Sequence, residues 1–143
     1  VTTKHFLNHL EHERIQRAIQ RAEAGTSGDI VVFITHKKAP DPVAAAQEVF
    51  TRRHLNKAAN DNSLLIFLSP PSRTFAVVGG KALHDAVGQD WWEELAGMLR
   101  THFRTRYYSE GLAQAIDCAG EAFRAHFPAD KVDRTGQSDI VEE

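Results

Sequence analysis

The chain has 143 residues, 42% apolar and 25% charged, which is the composition of an ordinary globular domain and excludes a disordered or fibrous chain. Lys and Arg number 17 against 19 Asp and Glu, a formal charge of -2, so bulk electrostatic binding to nucleic acid or to an anionic membrane surface is not expected. A single cysteine, Cys118, excludes an internal disulfide and a thiolate zinc site, and no apolar run approaches the roughly 20 residues that span a bilayer.

The first helix is expected from about Asn8 to Ala24, where Ile15, Ala18, Ile19 and Ala22 recur with helical spacing and charged residues fill the other faces. Gly25 suits the left-handed turn that ends it. Thr26-Ser27-Gly28 then turns the chain into Asp29 and the run Ile30-Val31-Val32-Phe33-Ile34, a strand covered on both faces. Asp41 and Pro42 open a second helix, the one as a cap and the other at a position that needs no N–H. Val43, Ala46, Val49 and Phe50 form its buried stripe. The polar stretch 56–62 reads as a loop, and Leu64–Leu68 as a second buried strand.

Ser69-Pro70-Pro71-Ser72-Arg73 is too short for a crossover, so Thr74–Val78 returns as an antiparallel third strand. The helix between the first two strands makes them parallel through a right-handed crossover. Gly79-Gly80 ends the third strand, and a short helix follows around Ala82–Val87. Asp90-Trp91-Trp92-Glu93 has the spacing of a capping box ahead of a helix lined by Trp92, Leu95, Leu99 and Phe103. The last helix runs from about Ser109 to His126, with Leu112, Ala115, Ile116, Ala119 and Phe123 on one face. These elements give an α/β fold: a three-layer α/β/α sandwich with a small mixed sheet, in one domain over residues 5–128. Residues 129–143 lack periodicity and read as a disordered acidic-polar tail.

Three constellations bear on chemistry. His5, His9 and His12 share a helix face at spacings that chelate transition metals, although a solvated amino-terminal segment explains them as well. His102 and His126 fall beside apolar stripes, where packing roles are expected, and Cys118 lies between alanines as an inert small residue. The topology itself gives a third grouping. Parallel first and second strands start at a common rim, where the antiparallel third strand ends. Asp29, Asp61, Asn62, Gly79 and Gly80 gather there, with His84 and Asp85 close behind. Carboxylate and amide oxygens are ligands for a hard cation such as Ca2+, so Asp29, Asp61, Asn62 and Asp85 are the candidate metal residues. Turn and capping roles are the competing explanation. The opposite rim carries His36, Lys37, Lys38 and Arg73, a place beyond the strand ends that could attract a phosphate or carboxylate, although a solvated charge cluster is the better explanation. Gly79-Gly80-Lys81 lacks the spacing of a phosphate loop, and no serine sits between the glycines of a hydrolase elbow.

The ordered series Ala18-Ile19, Ala22-Glu23, Thr26-Ser27-Gly28-Asp29-Ile30, Asp61-Asn62-Ser63-Leu64-Leu65-Ile66, Arg73, Gly79-Gly80, Trp92, Gly111-Leu112 and His126-Phe127-Pro128 resembles the TPM domain, in its short bacterial branch. The resemblance covers about residues 5–128 and implies a small sheet between layers of helices. It also implies the family's range of roles: repair of photosystem II in the thylakoid lumen, acid phosphatase activity in some relatives, calcium binding in others, and secreted or membrane-anchored bacterial members. The sequence departs from the family pattern at Ser63, where relatives carry Gly, and at Gly80-Lys81, where an acidic residue is usual. A cation site at that edge has one ligand fewer and a cation beside it.

With no convincing nucleophile–base pair, the expected function is a noncatalytic protein-interaction module for an envelope or membrane-associated assembly. The alternative is a weak acid phosphatase or calcium-binding domain. The lack of an apolar leader favours the cytoplasm, and the start at Val1 leaves export or membrane association open if a leader was trimmed.

Overall fold

Apolar runs and caps place the elements of this chain, and a computed structural model describes residues 7–55, 62–129 and 140–143 of it. Asn8 caps helix α1 (His9–Glu23): its side chain accepts from the Glu11 amide at 2.8 Å while Glu11 reaches back to the Asn8 amide at 3.1 Å. Gly25, with φ +76°, takes the left-handed turn after it. Strand β1 (Asp29–Ile34) leads to α2 (Pro42–Arg52), whose amino terminus is capped by Asp41 on the Ala44 amide at 3.2 Å. Strand β2 (Ser63–Ser69), a single 3-10 turn and strand β3 (Thr74–Gly79) form the hairpin. Helices α3 (Lys81–Val87), α4 (Gln89–Arg104) and α5 (Tyr108–His126) follow, and a short strand β4 (Ile140–Glu142) returns to the sheet.

The sheet has the order β3-β2-β1-β4. β1 and β2 are parallel, with Asp29 opposite Ser63 and Ile34 opposite Leu68, and β3 is antiparallel to β2. The helical crossover and the hairpin therefore have the expected consequences. Alternation of side chains along the strands divides the core in two. Ile30, Val32, Ile34, Leu64, Ile66 and Leu68 pack against α1, α4 and α5, while Val31, Phe33, Leu65 and Phe67 pack against α2. Sheet between helical layers is the three-layer α/β/α sandwich expected from the runs.

Two local expectations are corrected. Residues 140–143 were expected within a disordered tail, yet β4 pairs in parallel with β1, Val32 opposite Ile140 and Ile34 opposite Glu142. Only Ile140 and Val141 are apolar there, too short a run for periodicity to register, and the pairing comes from the edge that β1 offers. Residues 130–139 lie outside the described residues. The capping box at Asp90–Glu93 is also absent: Gly88, with φ +80°, turns the chain so sharply that α4 begins at Gln89 and Asp90 falls inside its first turn. No helix among the described residues is long and apolar enough to cross a membrane.

Candidate functional site at the start of the parallel strands

The turn Thr26-Ser27-Gly28 is pinned beneath the end of α5. Thr26 Oγ1 donates to the Phe127 carbonyl at 2.6 Å and accepts from the Gly28 amide at 3.1 Å, and the Ser27 amide donates to the Phe127 carbonyl at 3.1 Å. A Cβ on Gly28 would stand 2.5 Å from the ring of Phe123, so glycine is needed for the turn to pass under that ring. The fixed turn sets where β1 begins. The Glu23 carboxylate, only 8% exposed, accepts from the Ile30 amide at 3.0 Å and ties the end of α1 to the same place.

β2 begins beside it. Asn62 is fully buried; its Nδ2 donates to Ser27 Oγ at 2.9 Å, while its Oδ1 has no hydrogen-bond partner among the described residues. The neighbouring Ser63 Oγ is buried and likewise without one. The Gly80 amide donates to the Ser63 carbonyl at 3.0 Å, which brings the double glycine to this rim. Gly79 leaves room for Trp92, whose ring would meet a Cβ there at 2.5 Å, and His84 stacks on Trp92 with ring centres 4.3 Å apart.

The topology thus assembles Asp29, Asn62, Gly79 and Gly80 at one edge. Asp61 lies outside the described residues. Asp85 sits on the exposed side of α3 with its carboxylate 2.7 Å from the Lys81 ammonium, so it is committed to an ion pair while offsetting the charge that Lys81 adds. As a test of fit for calcium, the Asn62 Oδ1 is a buried oxygen lacking a donor, as a ligand oxygen would be, and Asp29 offers a carboxylate on the adjacent strand start. Among the described residues no three His, Cys, Asp or Glu side chains converge, so these residues supply part of an oxygen set. Glu23 escapes a sequence reading because its helical position looks like any other on the polar side.

The other candidates separate. His5 lies outside the described residues, the His9 side chain is not described, and His12 is exposed. His102 is half-buried with Nδ1 3.0 Å from the Met98 carbonyl, as a packing residue would be, whereas His126 is exposed because it falls in the last turn of α5. Cys118 is half-buried; burial, then the negative charges of Glu121 and Glu94, push its thiol above the ordinary value.

At the far rim, β4 supplies acids that the sequence reading did not place. His36 Nε2 lies 3.5 Å from Glu142, and Arg52 lies 3.8 Å from Glu143. Lys37 and Lys38 are exposed there. Arg73 lines a different surface, a groove shared with Arg100, Arg104 and Arg106 of α4 and the turn after it.

Known proteins place this geometry. The solution structure of the BA42 protein from the psychrophilic bacterium Bizionia argentinensis superposes with a TM-score of 0.87 at 28% identity, covering 98% of this chain and 97% of that one. The N-terminal domain of the cg2496 protein of Corynebacterium glutamicum shares the fold at 15% identity and a TM-score of 0.65, over 92% of this chain and 82% of that one. An N-terminal domain of a P. gingivalis protein does so at 16% and 0.62, over 85% and 78%. The curated proteins give no match. The sequence pattern of the TPM domain matches residues 1–122, and the chain belongs to the TPM-domain family.

Proposed function

We propose that the domain is a noncatalytic interaction module whose strand-start rim binds a divalent cation, calcium by ligand type. The observation that carries the cation is the buried Asn62 Oδ1, without a donor among the described residues, one residue before the Ser63 that pairs with Asp29 and next in sequence to Asp61. An unsatisfied buried acceptor costs about 1–3 kcal/mol, and a cation drawing on that oxygen removes the cost. Bound there, the ion braces the entry of β2 against the pinned turn.

Two further observations favour a binding role over turnover. Three of the rim and hairpin hydroxyls are engaged in holding turns, Ser63 being the exception among the described residues: Ser27 accepts from Asn62, Ser69 donates to the Lys37 carbonyl at 2.8 Å, and Ser72 accepts from the Ala39 amide at 2.7 Å. Burial, then Glu121 and Glu94, push the ionisation of the lone thiol above its ordinary value, which works against a thiolate nucleophile. Two of the similar structures are N-terminal domains of other proteins, which suits a module working beside further partners in an envelope or membrane-associated assembly.

Thermal melting in millimolar calcium against chelator tests the site. The melting temperature should rise with calcium in the wild type and much less in Asp29→Asn, since a ligand that binds only the folded state stabilises it. An unchanged melt removes the cation from the proposal. Hydrolysis of a phosphomonoester that disappears in Asp29→Asn would replace the module by a phosphatase.

A further inference from the structure

Alternate backbone groups of an outermost strand point away from the sheet, and a strand left this way accepts another chain unless something covers it. β3 is such a strand, with a neighbour on one side only among the described residues. Two grooves run along it. One, of about 600 Å³, is walled by Thr74–Val77 together with Val43 of α2 and Trp92 of α4; the other, of about 990 Å³, continues past Arg73 to Phe103 and Tyr108. They share Arg73, Thr74, Phe75 and Arg100 and so form one elongated surface. Six residues of β3 span about 20 Å at the usual strand rise, a length that suits an extended segment.

We infer that this edge of β3, with the arginine cluster at its start, docks an extended acidic segment of a partner protein as an added strand. The inference deepens the module reading above and rests on it, but not on the cation.

Charge and exposure select the occupant. Arg73, Arg100, Arg104 and Arg106 line the second groove, whose lining holds no acidic residue while the first holds Glu93, and none of the four forms an ion pair with a described residue. Four guanidinium groups on one surface repel each other, and a carboxylate-rich ligand relieves that repulsion. Arg73 and Arg106 are held at φ +54° and +66°, a conformation uncommon for arginine, by turns in which their amides donate to the Pro70 and Phe103 carbonyls at 3.1 Å. Val43 and Tyr107 are the large apolar residues most open to solvent among those described, at 53% and 58%. Val43 lines the first groove, and Tyr107 lies between Arg106 and Tyr108 of the second.

The opposite edge shows the same recognition already satisfied. There Ile140-Val141-Glu142-Glu143 adds to β1, with the Glu143 amide donating to the Ile34 carbonyl at 2.9 Å and Glu142 and Glu143 reaching His36 and Arg52. Two apolar residues followed by two acids cover a bare edge beside basic side chains. β3 presents the matching combination, with no described strand on its outer side.

The test uses the full chain and a labelled, acetylated octapeptide, Val-Glu-Val-Glu-Val-Asp-Glu-Asp, followed by fluorescence anisotropy and amide chemical shifts in chelator. Saturable binding that moves the Thr74–Val77 amides is expected. It should weaken by about tenfold or more in the double variant Arg100→Glu with Arg104→Glu, and with a peptide carrying Lys for each acid. Both arginines are exposed, so an unchanged melt certifies the variant's fold. Absence of binding overturns the inference, as does binding that inorganic phosphate alone reproduces with β3 amides unmoved. Binding that moves the residues of β1 and Ile140–Glu142 instead also overturns it, because the peptide then displaces β4. Anionic vesicles that bind while the peptide does not overturn it in favour of a lipid surface. Failure here leaves the calcium melt and the phosphomonoester assay unaffected, so loss of this surface and loss of the module reading are told apart.

Discussion

The two ends of the parallel strands are built on opposite plans. Where β1 and β2 begin, polar groups are buried and their positions follow from packing: Gly28 under the Phe123 ring, Thr26 against the end of α5, Asn62 against Ser27. Where they end, Thr35 and Ser69 are buried but the charges are half-buried or exposed, matched by Glu142 and Glu143 on one side and left without an acidic partner among the described residues at Arg73 on the other. The first end is set by core geometry and should report damage as lost stability. The second is set by solvent-screened charge and should report damage as altered binding.

The strongest way to break this contrast is in the core beneath the first end. Phe123→Ala should cost about 3–5 kcal/mol in denaturant unfolding, since the ring is fully buried. A loss below about 0.5 kcal/mol, the range of surface changes, would refute the packing described. Gly28→Ala should cost about 1–3 kcal/mol because its methyl meets that same ring. Combined with Phe123→Ala, most of the Gly28→Ala penalty should vanish, and a double-mutant cycle measures the coupling. Strict additivity would show that the ring does not set the turn.

Asn62→Ala sharpens the contrast at lower cost. Measured in chelator it should lose about 1 kcal/mol, because the bond to Ser27 goes but the unpartnered oxygen goes with it. In calcium the same substitution should cost more. At the other end, Glu142→Gln should change stability by less than about 1 kcal/mol, since what it loses is a 3.5 Å contact with His36 close to the surface.

Cys118 provides the smallest and most selective effect. Its thiol ionises at higher pH in the folded chain than in the unfolded one, so the folded state keeps its proton longer. Stability from this group is therefore complete below the ordinary thiol range and declines as pH rises through it. Reaction with a disulfide reagent near neutral pH should correspondingly be slower folded than in denaturant. Equal rates would remove the influence of burial and of Glu121 and Glu94.

Much of the architecture was legible because β1 and β2 are continuous apolar runs with a capped helix between them, which dictates their parallel arrangement. The gathering of Asp29 and Asn62 followed from that direction alone. What was hidden depended on contacts remote in sequence. Glu23 is buried only because Gly25 swings the chain back over the end of α1, and Arg73 meets Arg100, Arg104 and Arg106 only when the hairpin packs on α4. Asp85 pairs with Lys81 one helical turn away, a commitment that the oxygen count alone did not anticipate.

β4 supplies three residues of cover to a neighbour six residues long. Removing Ile140–Glu142 would strip that seam, and two molecules would then zip laterally along the bared rows of Val32, Phe33 and Ile34. A clip of three residues thereby keeps the β1 edge closed, and among the described strands β3 is left as the edge that faces outward.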